Sequence, residues 1–193
     1  MPEYRYVVGG NDGWLTVLRE PSKARISLPT TLKVELTSNK DGRDYFKVLE
    51  GPETGGSFSV KERNLAKSAP AYLSGAVLQF SISKKILEYN AVKISAFTHT
   101  SNPVPAGNHP IQIPDFPHSL GSGYMSESKY AKNWFYLGTG NAVARNNDRY
   151  LHPGTISAGC VTVDVASWTA LYEYLIRCRS GNGKDVGRII VTN

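Results

Sequence analysis

This chain has few of the features that would settle its class by composition. Two cysteines in 193 residues, Cys160 and Cys178, exclude a small disulfide scaffold, although one bridge between them stays open. No apolar run approaches the ~20 residues of a membrane-crossing helix, so no membrane insertion is expected. The start, M-P-E-Y-R-Y-V-V-G-G, has no basic segment followed by an apolar core, so no secretory signal is expected. Made in the cytoplasm, such a chain would need specialised export to act in a periplasm or cell wall. Runs of positive residues stop at two, Lys84-Lys85. The net charge of +6 and pI near 9.3 are therefore a scattered bias toward acidic polymers, without the clustered footprint of a nucleic-acid binder. The four histidines and two cysteines show no zinc-ligand spacing, and neither metal nor cofactor is expected. No internal repeat or low-complexity tract stands out. What remains, 40% hydrophobic and 20% charged residues, is an ordinary globular composition with room for one domain and a small appendage.

One stretch carries chemistry. Arg149 to Val163, R-Y-L-H-P-G-T-I-S-A-G-C-V-T-V, sets His152 eight residues ahead of Cys160. Arg149-Tyr150-Leu151 reads as a strand end delivering His152, Pro153-Gly154-Thr155 as a turn, and Val161-Thr162-Val163 as a β-branched strand. Ser157-Ala158-Gly159 is small enough for a backbone to approach a substrate carbonyl. A thiol nucleophile needs a base within hydrogen-bond reach and N–H groups free to hold an oxyanion, and this segment offers both. The competing reading of the same residues is a buried structural cysteine with a nearby surface histidine. Cys178 falls with Val165, Trp168, Leu171 and Leu175 at helical spacing, which makes it a packing residue and leaves Cys160 as the reactive thiol.

The rest of the chain is strand-rich. Tyr4–Val8 and Trp14–Leu18, separated by Gly9-Gly10-Asn11-Asp12-Gly13, predict a hairpin. Leu32–Thr37 alternates strictly, Ser38–Gly42 turns, and Asp44–Leu49 returns; Gly51–Gly56 breaks again. Val77–Ile82, Ile86–Tyr89 and Val92–Phe97 predict three short strands. The loop after them carries His99, a surface histidine on the plain reading. Pro105–His118 holds four prolines, which exclude a helix, demote any central strand and leave Ile111-Gln112-Ile113 as one short strand. Asp115-Phe116-Pro117-His118 then forms a rigid loop that either walls a cleft, with Asp115 and His118 touching substrate, or simply faces water. Gly121–Lys132 is loop turning helical, a place for a lid. Trp134–Leu137 is an aromatic core strand, and Gly138–Asp148 a polar loop. Asp164 caps a helix over Val165–Arg179, with Arg177 and Arg179 in its last turn and Gly181 ending it. Val186–Thr192 closes the chain as a strand.

The motif H-P-G-T-I-S-A-G-C-V resembles the active-site motif of the L,D-transpeptidase family, the YkuD-type catalytic domain, in a compact or divergent form. His152 matches the family's base, Ser157 its hydroxyl residue, Gly159 its glycine and Cys160 its nucleophile. Pro103–Ile111 is similar to the family's proline- and glycine-containing strand. The Trp168–Leu171 helix and the Val-Gly-x-Ile-Ile-Val ending are similar to its closing elements, so the resemblance runs from about Leu78 to Asn193. Ala158 stands where the commonest motif has histidine, and Thr162 where it has arginine. The resemblance implies a mainly β fold, a sandwich or sheet with one C-terminal helix; the strand and turn pattern ahead of it reads as an N-terminal β-hairpin elaboration. Residues 1–72 would form that elaboration or a small module, and 73–193 the catalytic domain.

The function so implied is acyl transfer through a thioester on a peptidoglycan stem peptide, as L,D-transpeptidase or L,D-carboxypeptidase. Cys160, His152, Ser157 and Gly159 would be catalytic; Tyr150, Ala158, Asp115 and His118 would touch substrate. Without a secretory signal the enzyme would fit an antibacterial effector with a delivery or immunity partner. Ala158 and Thr162 instead favour a catalytically inactive cell-wall-binding module on the same fold. A papain-type peptidase has its nucleophile ahead of the histidine, the reverse of the order here.

Overall fold

The computed structural model describes residues 2–139 and 148–193. The protein is mainly β, with seventeen strands and one α-helix among the described residues. Seven strands drawn from the first third of the chain form one sheet: β1 (Glu3–Val7), β2 (Trp14–Arg19), β3 (Arg25–Pro29), β4 (Lys33–Lys40), β5 (Arg43–Val48), β6 (Ser57–Lys61) and β7 (Leu65–Ala66), in the order β3-β2-β6-β5-β4-β1-β7. The β4–β5 hairpin expected from alternation is present, and its turn is Asp41-Gly42, both at positive φ. The β1–β2 hairpin is not. β1 pairs with β4 and β7, and β2 with β3 and β6. The Gly-rich segment between β1 and β2 is a crossing rather than a tight turn. It is held by Asp12, which accepts from the Trp14 N–H at 3.1 Å, and by Thr30, which accepts from the Gly9 N–H at 3.2 Å.

After β8 (Leu73–Ser74) comes the second sheet: β9 (Ala76–Ser81), β10 (Ile86–Tyr89), β11 (Val92–Phe97), β12 (Gly107–Gln112), β13 (Phe135–Thr139), β14 (Asp148–Pro153), β15 (Val161–Val163) and β17 (Asp185–Thr192). Its order is β12-β17-β9-β10-β11-β15-β14-β13. The strands at Ile86–Tyr89 and Val92–Phe97 have the expected bounds, because each alternates cleanly around a short turn. β12 is longer than the proline count implied. Pro110 is tolerated inside it because β12 is an edge strand of the ladder. The stretch 140–147 of the expected Gly138–Asp148 loop lies outside the described residues; Gly138 itself belongs to β13 and Asp148 to β14. Gly121–Lys132 is a 3-10 turn over Ser119–Tyr124 followed by further turns, not an α-helix.

The helix α1 (Val165–Leu175) buries Val165, Trp168, Leu171, Tyr172 and Leu175, the face the spacing predicts. Trp168 and Tyr172 pack at ring distances of 6.0 and 6.1 Å against Phe135. Asp164 stands at the N-cap position, but its side chain makes no capping bond there. The helix stops four residues short of the predicted end. Cys178-Arg179 forms β16 instead, paired in parallel with β8, and the Leu73 N–H donates to Arg177 O at 2.9 Å. A long-range backbone ladder overrides local helical spacing here. The backbone of Arg179 therefore lies past the helix, while its Nη1 still donates to the C-cap carbonyl of Ile176 at 3.0 Å. The side chain also reaches Glu50 at 3.0 Å and Thr31 at 3.2 Å, tying the end of α1 to the first sheet. Buried residues of both sheets and of α1 belong to one apolar cluster.

Candidate active site

The site forms because β14 and β15 run parallel and adjacent, with Leu151 opposite Val161 and His152 opposite Thr162. Side chains alternate across a sheet, and paired residues share a face. Leu151 and Val161, both fully buried, point into the core. Tyr150, His152 and Thr162 therefore lie on the other face, and Cys160, just before β15, joins them. The Tyr150 N–H donates to Cys160 Sγ at 3.4 Å.

The turn between the strands is cross-tied by Ser157. Its hydroxyl donates to Cys160 O at 2.9 Å and accepts from the Gly159 N–H at 3.2 Å. Ser157 thus shapes the Cys160 loop and does not touch His152. Gly159 is required on two counts. Its φ of +129° is a left-handed conformation, and a Cβ there would collide with Arg149 Nη1 and with Asn102 O. Ala158 is exposed on the loop crest, and its carbonyl accepts from Asn102 Nδ2 at 3.0 Å and Arg149 Nη1 at 3.4 Å.

His152 is buried, and its tautomer follows from its partners. Nδ1 lies 2.9 Å from Pro153 O, which can only accept, so Nδ1 carries the proton and Nε2 the lone pair. The Thr162 hydroxyl, 3.2 Å away, donates to Nε2. The ring stacks on Trp134 at 4.3 Å. Burial pushes its pKa down to about 4, against the Pro153 hydrogen bond, with the nearby His118 adding to the fall. The imidazole is therefore neutral at pH 7. Burial likewise pushes the Cys160 thiol up, opposed by the Tyr150 N–H and by the charge of Arg149. At neutral pH the pair is a thiol and a neutral base, and among the described residues no hydrogen bond joins them.

Asp115 and His118 come to the same place. His118 Nε2 is 2.9 Å from Asp115 Oδ1, which also accepts from the Phe116 N–H at 2.8 Å, and the Tyr150 hydroxyl donates to Asp115 Oδ2 at 3.0 Å. Burial works to raise the Asp115 carboxyl, but hydrogen bonds from His118, Phe116 and Tyr150 outweigh it and hold it below the usual range. Burial and the Asp115 charge push the Tyr150 phenol up. Phe116, His118, Trp134 and His152 form a continuous stack of rings at 4.3–4.4 Å. The segment expected to be a lid reaches the turn: Tyr124 Oη is 2.9 Å from Thr155 Oγ1 and accepts from the Thr155 N–H at 3.2 Å. His99 stays apart, exposed and bonded to Ser101.

Four site residues escaped sequence reasoning. Trp134 reads as core, and it is 8% exposed, yet it is also the plate against which both histidines stack. Thr162 reads as a departure from a motif, and Arg149 and Asn102 carried no signal at all. Period-two alternation from His152 and Cys160 would have placed Thr162 on their face. Nothing local could have brought Asn102 to Arg149. A cleft of about 680 Å³ lined by Ser74, Val77, Asn108, Asp185 and Arg188 contains none of the candidate site residues.

No protein-family model matches this chain, and no curated protein matches its sequence. Solved structures resemble it distantly. L,D-transpeptidase 1 of Mycobacterium tuberculosis is 16% identical over 78% of this chain and 70% of that one, with a TM-score of 0.37. An L,D-transpeptidase from M. tuberculosis H37Rv is 12% identical over 84% and 90%, with a TM-score of 0.36. L,D-transpeptidase 3 of M. tuberculosis is 12% identical over 84% and 92%, with a TM-score of 0.35. Likenesses of this size carry no argument by themselves, and the functional reading rests on the residues of the β14–β15 pair.

Proposed function

We propose that this protein is a cysteine acyltransferase acting on peptidoglycan stem peptides through a thioester, as an L,D-transpeptidase or L,D-carboxypeptidase. The observation that carries the reading is the parallel β14–β15 pair, which sets the Cys160 thiol and the Nε2 lone pair of His152 on one sheet face. When a substrate carbonyl enters, the Thr162 hydroxyl yields Nε2, which takes the Cys160 proton. The sulfur attacks the carbonyl carbon. The Cys160 N–H would hold the oxyanion, since the Gly159 N–H is engaged by Ser157. The scissile C–N bond then breaks, and the imidazolium returns its proton to the departing amine, leaving a thioester. Attack on that thioester by an amine completes transpeptidation, and attack by water completes carboxypeptidase action; either releases the thiol. In the donor stem the bond cut joins the L-centre of the diamino acid to a terminal D-alanine. Tyr150, Asp115 and His118 would wall the donor side of the cleft. Action in a periplasm or cell wall follows from the substrate, and a delivery or immunity partner from an effector role.

The second reading, an inactive cell-wall-binding module, draws on Nε2 being occupied by Thr162 and on the raised thiol pKa. Intact mass after incubation with a carbapenem separates the two. A covalent adduct on the wild type and on Cys178→Ala, absent from Cys160→Ala, supports the enzyme, and tetrapeptide muropeptides should then be turned over. No adduct, with Cys160 still alkylated by iodoacetamide, removes this substrate class. No reaction with either reagent supports the binding module.

A further inference from the structure

We propose that Arg149 is the positioning residue that sets the reactivity of Cys160, its guanidinium serving as counter-charge to the thiolate. The inference rests on the reading of Cys160 as the nucleophile. Arg149 is 7% exposed, and an arginine keeps its charge at any working pH. A buried cation is costly unless a countercharge meets it. Yet Arg149 forms no ion pair among the described residues, and residues 140–147, G-N-A-V-A-R-N-N, contain no carboxylate. Its hydrogen bonds go to two neutral oxygens, Asn102 Oδ1 at 2.8 Å and Ala158 O at 3.4 Å.

The placement is specific. The guanidinium lies against the Ala158–Gly159 peptide, at the place where a side chain on residue 159 would stand, immediately before Cys160. Glycine at 159 is thus what lets the cation come up behind the nucleophile. The other ionisable groups facing the thiol do not substitute for it. Asp148, from β14, opposes a thiolate, and its Oδ1 accepts from the Tyr136 hydroxyl of β13 at 3.1 Å. His152 is neutral. Tyr150 turns its hydroxyl to Asp115, which is paired with His118. Arg149 is the one fixed positive charge in this set, and it opposes, without cancelling, the burial that disfavours the thiolate.

The test is the pH profile of Cys160 alkylation by iodoacetamide, read by mass in a Cys178→Ala background. Arg149→Met should move the midpoint up by about one pH unit, as loss of a neighbouring opposite charge does, while Arg149→Lys restores most of the shift. Should Arg149→Met not fold, Asn102→Asp supplies the same answer from an exposed position. It places a carboxylate on the partner atom of Arg149, neutralises the cation and raises the midpoint. Ser101→Asp, the same charge one residue away, should move it less. Unchanged midpoints in the folded Arg149→Met or Asn102→Asp protein, or an equal shift in Ser101→Asp, would overturn the assignment. The proposed function fails separately. A wild type that shows the Arg149-dependent profile but never accepts a carbapenem keeps this inference and loses the substrate.

Discussion

The two cysteines of this chain are both raised in pKa by burial, yet their neighbourhoods differ in kind. Cys178 is fully buried in β16 and spends its S–H on Tyr174 O at 3.3 Å, a hydrogen bond that closes it into the core. Cys160 is only half-buried. It receives a backbone N–H from Tyr150, shares a face with a neutral imidazole, and has a cation behind its loop. The difference teaches that two thiols raised alike by burial can sit in unlike surroundings, and reactivity is expected to follow the surroundings. It also locates that surrounding in one strand pair.

The sharpest break of this contrast is Cys160→Ala, which should abolish acylation, whereas Cys178→Ala should keep it and cost about 1 kcal/mol of stability from a small cavity. Chemical denaturation and mass spectrometry read both. Next, His152→Gln should lower the acylation rate by ~10²-fold or more through loss of the base, read by single-turnover kinetics at pH 7.

The same histidine gives a pH signature. Its folded pKa, about 4, lies below the ordinary value of 6.5, so between these values the unfolded chain binds the additional proton. Stability is therefore full above pH 6.5 and is lost as pH falls toward 4. The loss is roughly 3 kcal/mol, since each pH unit between the two values is worth about 1.4 kcal/mol. His152→Gln should flatten that part of a Tm-against-pH curve; an unchanged slope would place the acid sensitivity elsewhere.

A smaller effect compares two glycines at positive φ. Gly159→Ala should cost about 2–3 kcal/mol, from backbone strain together with a clash on Arg149, and should slow Cys160 alkylation. Gly181→Ala, at φ +83° with open space around it, should cost about 1 kcal/mol and leave alkylation alone. Equal costs would show that Arg149 and the Asn102 backbone both yield readily. Smallest is Tyr150→Phe. It removes one hydrogen bond to Asp115, which keeps those from His118 and Phe116, and should cost about 1 kcal/mol in denaturant unfolding.

How much of this could be read beforehand varies with the range of the forces involved. Ile86–Tyr89 and Val92–Phe97 were legible because alternation and turn chemistry act within a few residues. The helix was legible at its start and buried face, but its predicted end failed once Cys178 and Arg179 paired with β8 across the fold. The first hairpin failed for the same reason: the Gly-rich segment permits a tight turn, but β1 finds better partners in β4 and β7. At the site, the order His152, Ser157, Gly159, Cys160 was readable as a candidate constellation. That Ser157 braces the loop, that Thr162 meets Nε2, and that Trp134 joins two histidines was not.

By itself, then, the amino-acid order determined a β-rich chain with one amphipathic helix and one segment able to present a thiol beside a base, because these follow from residue type and near-neighbour spacing. Tertiary structure decided the rest. A parallel pairing of β14 and β15 put His152 and Cys160 on a common face. Packing lowered the imidazole pKa and raised that of the thiol. A residue from a distant loop, Asn102, met Arg149 behind the Cys160 loop. Pairing, burial and long-range contact depend on which strands meet, and no local pattern in the sequence encodes that.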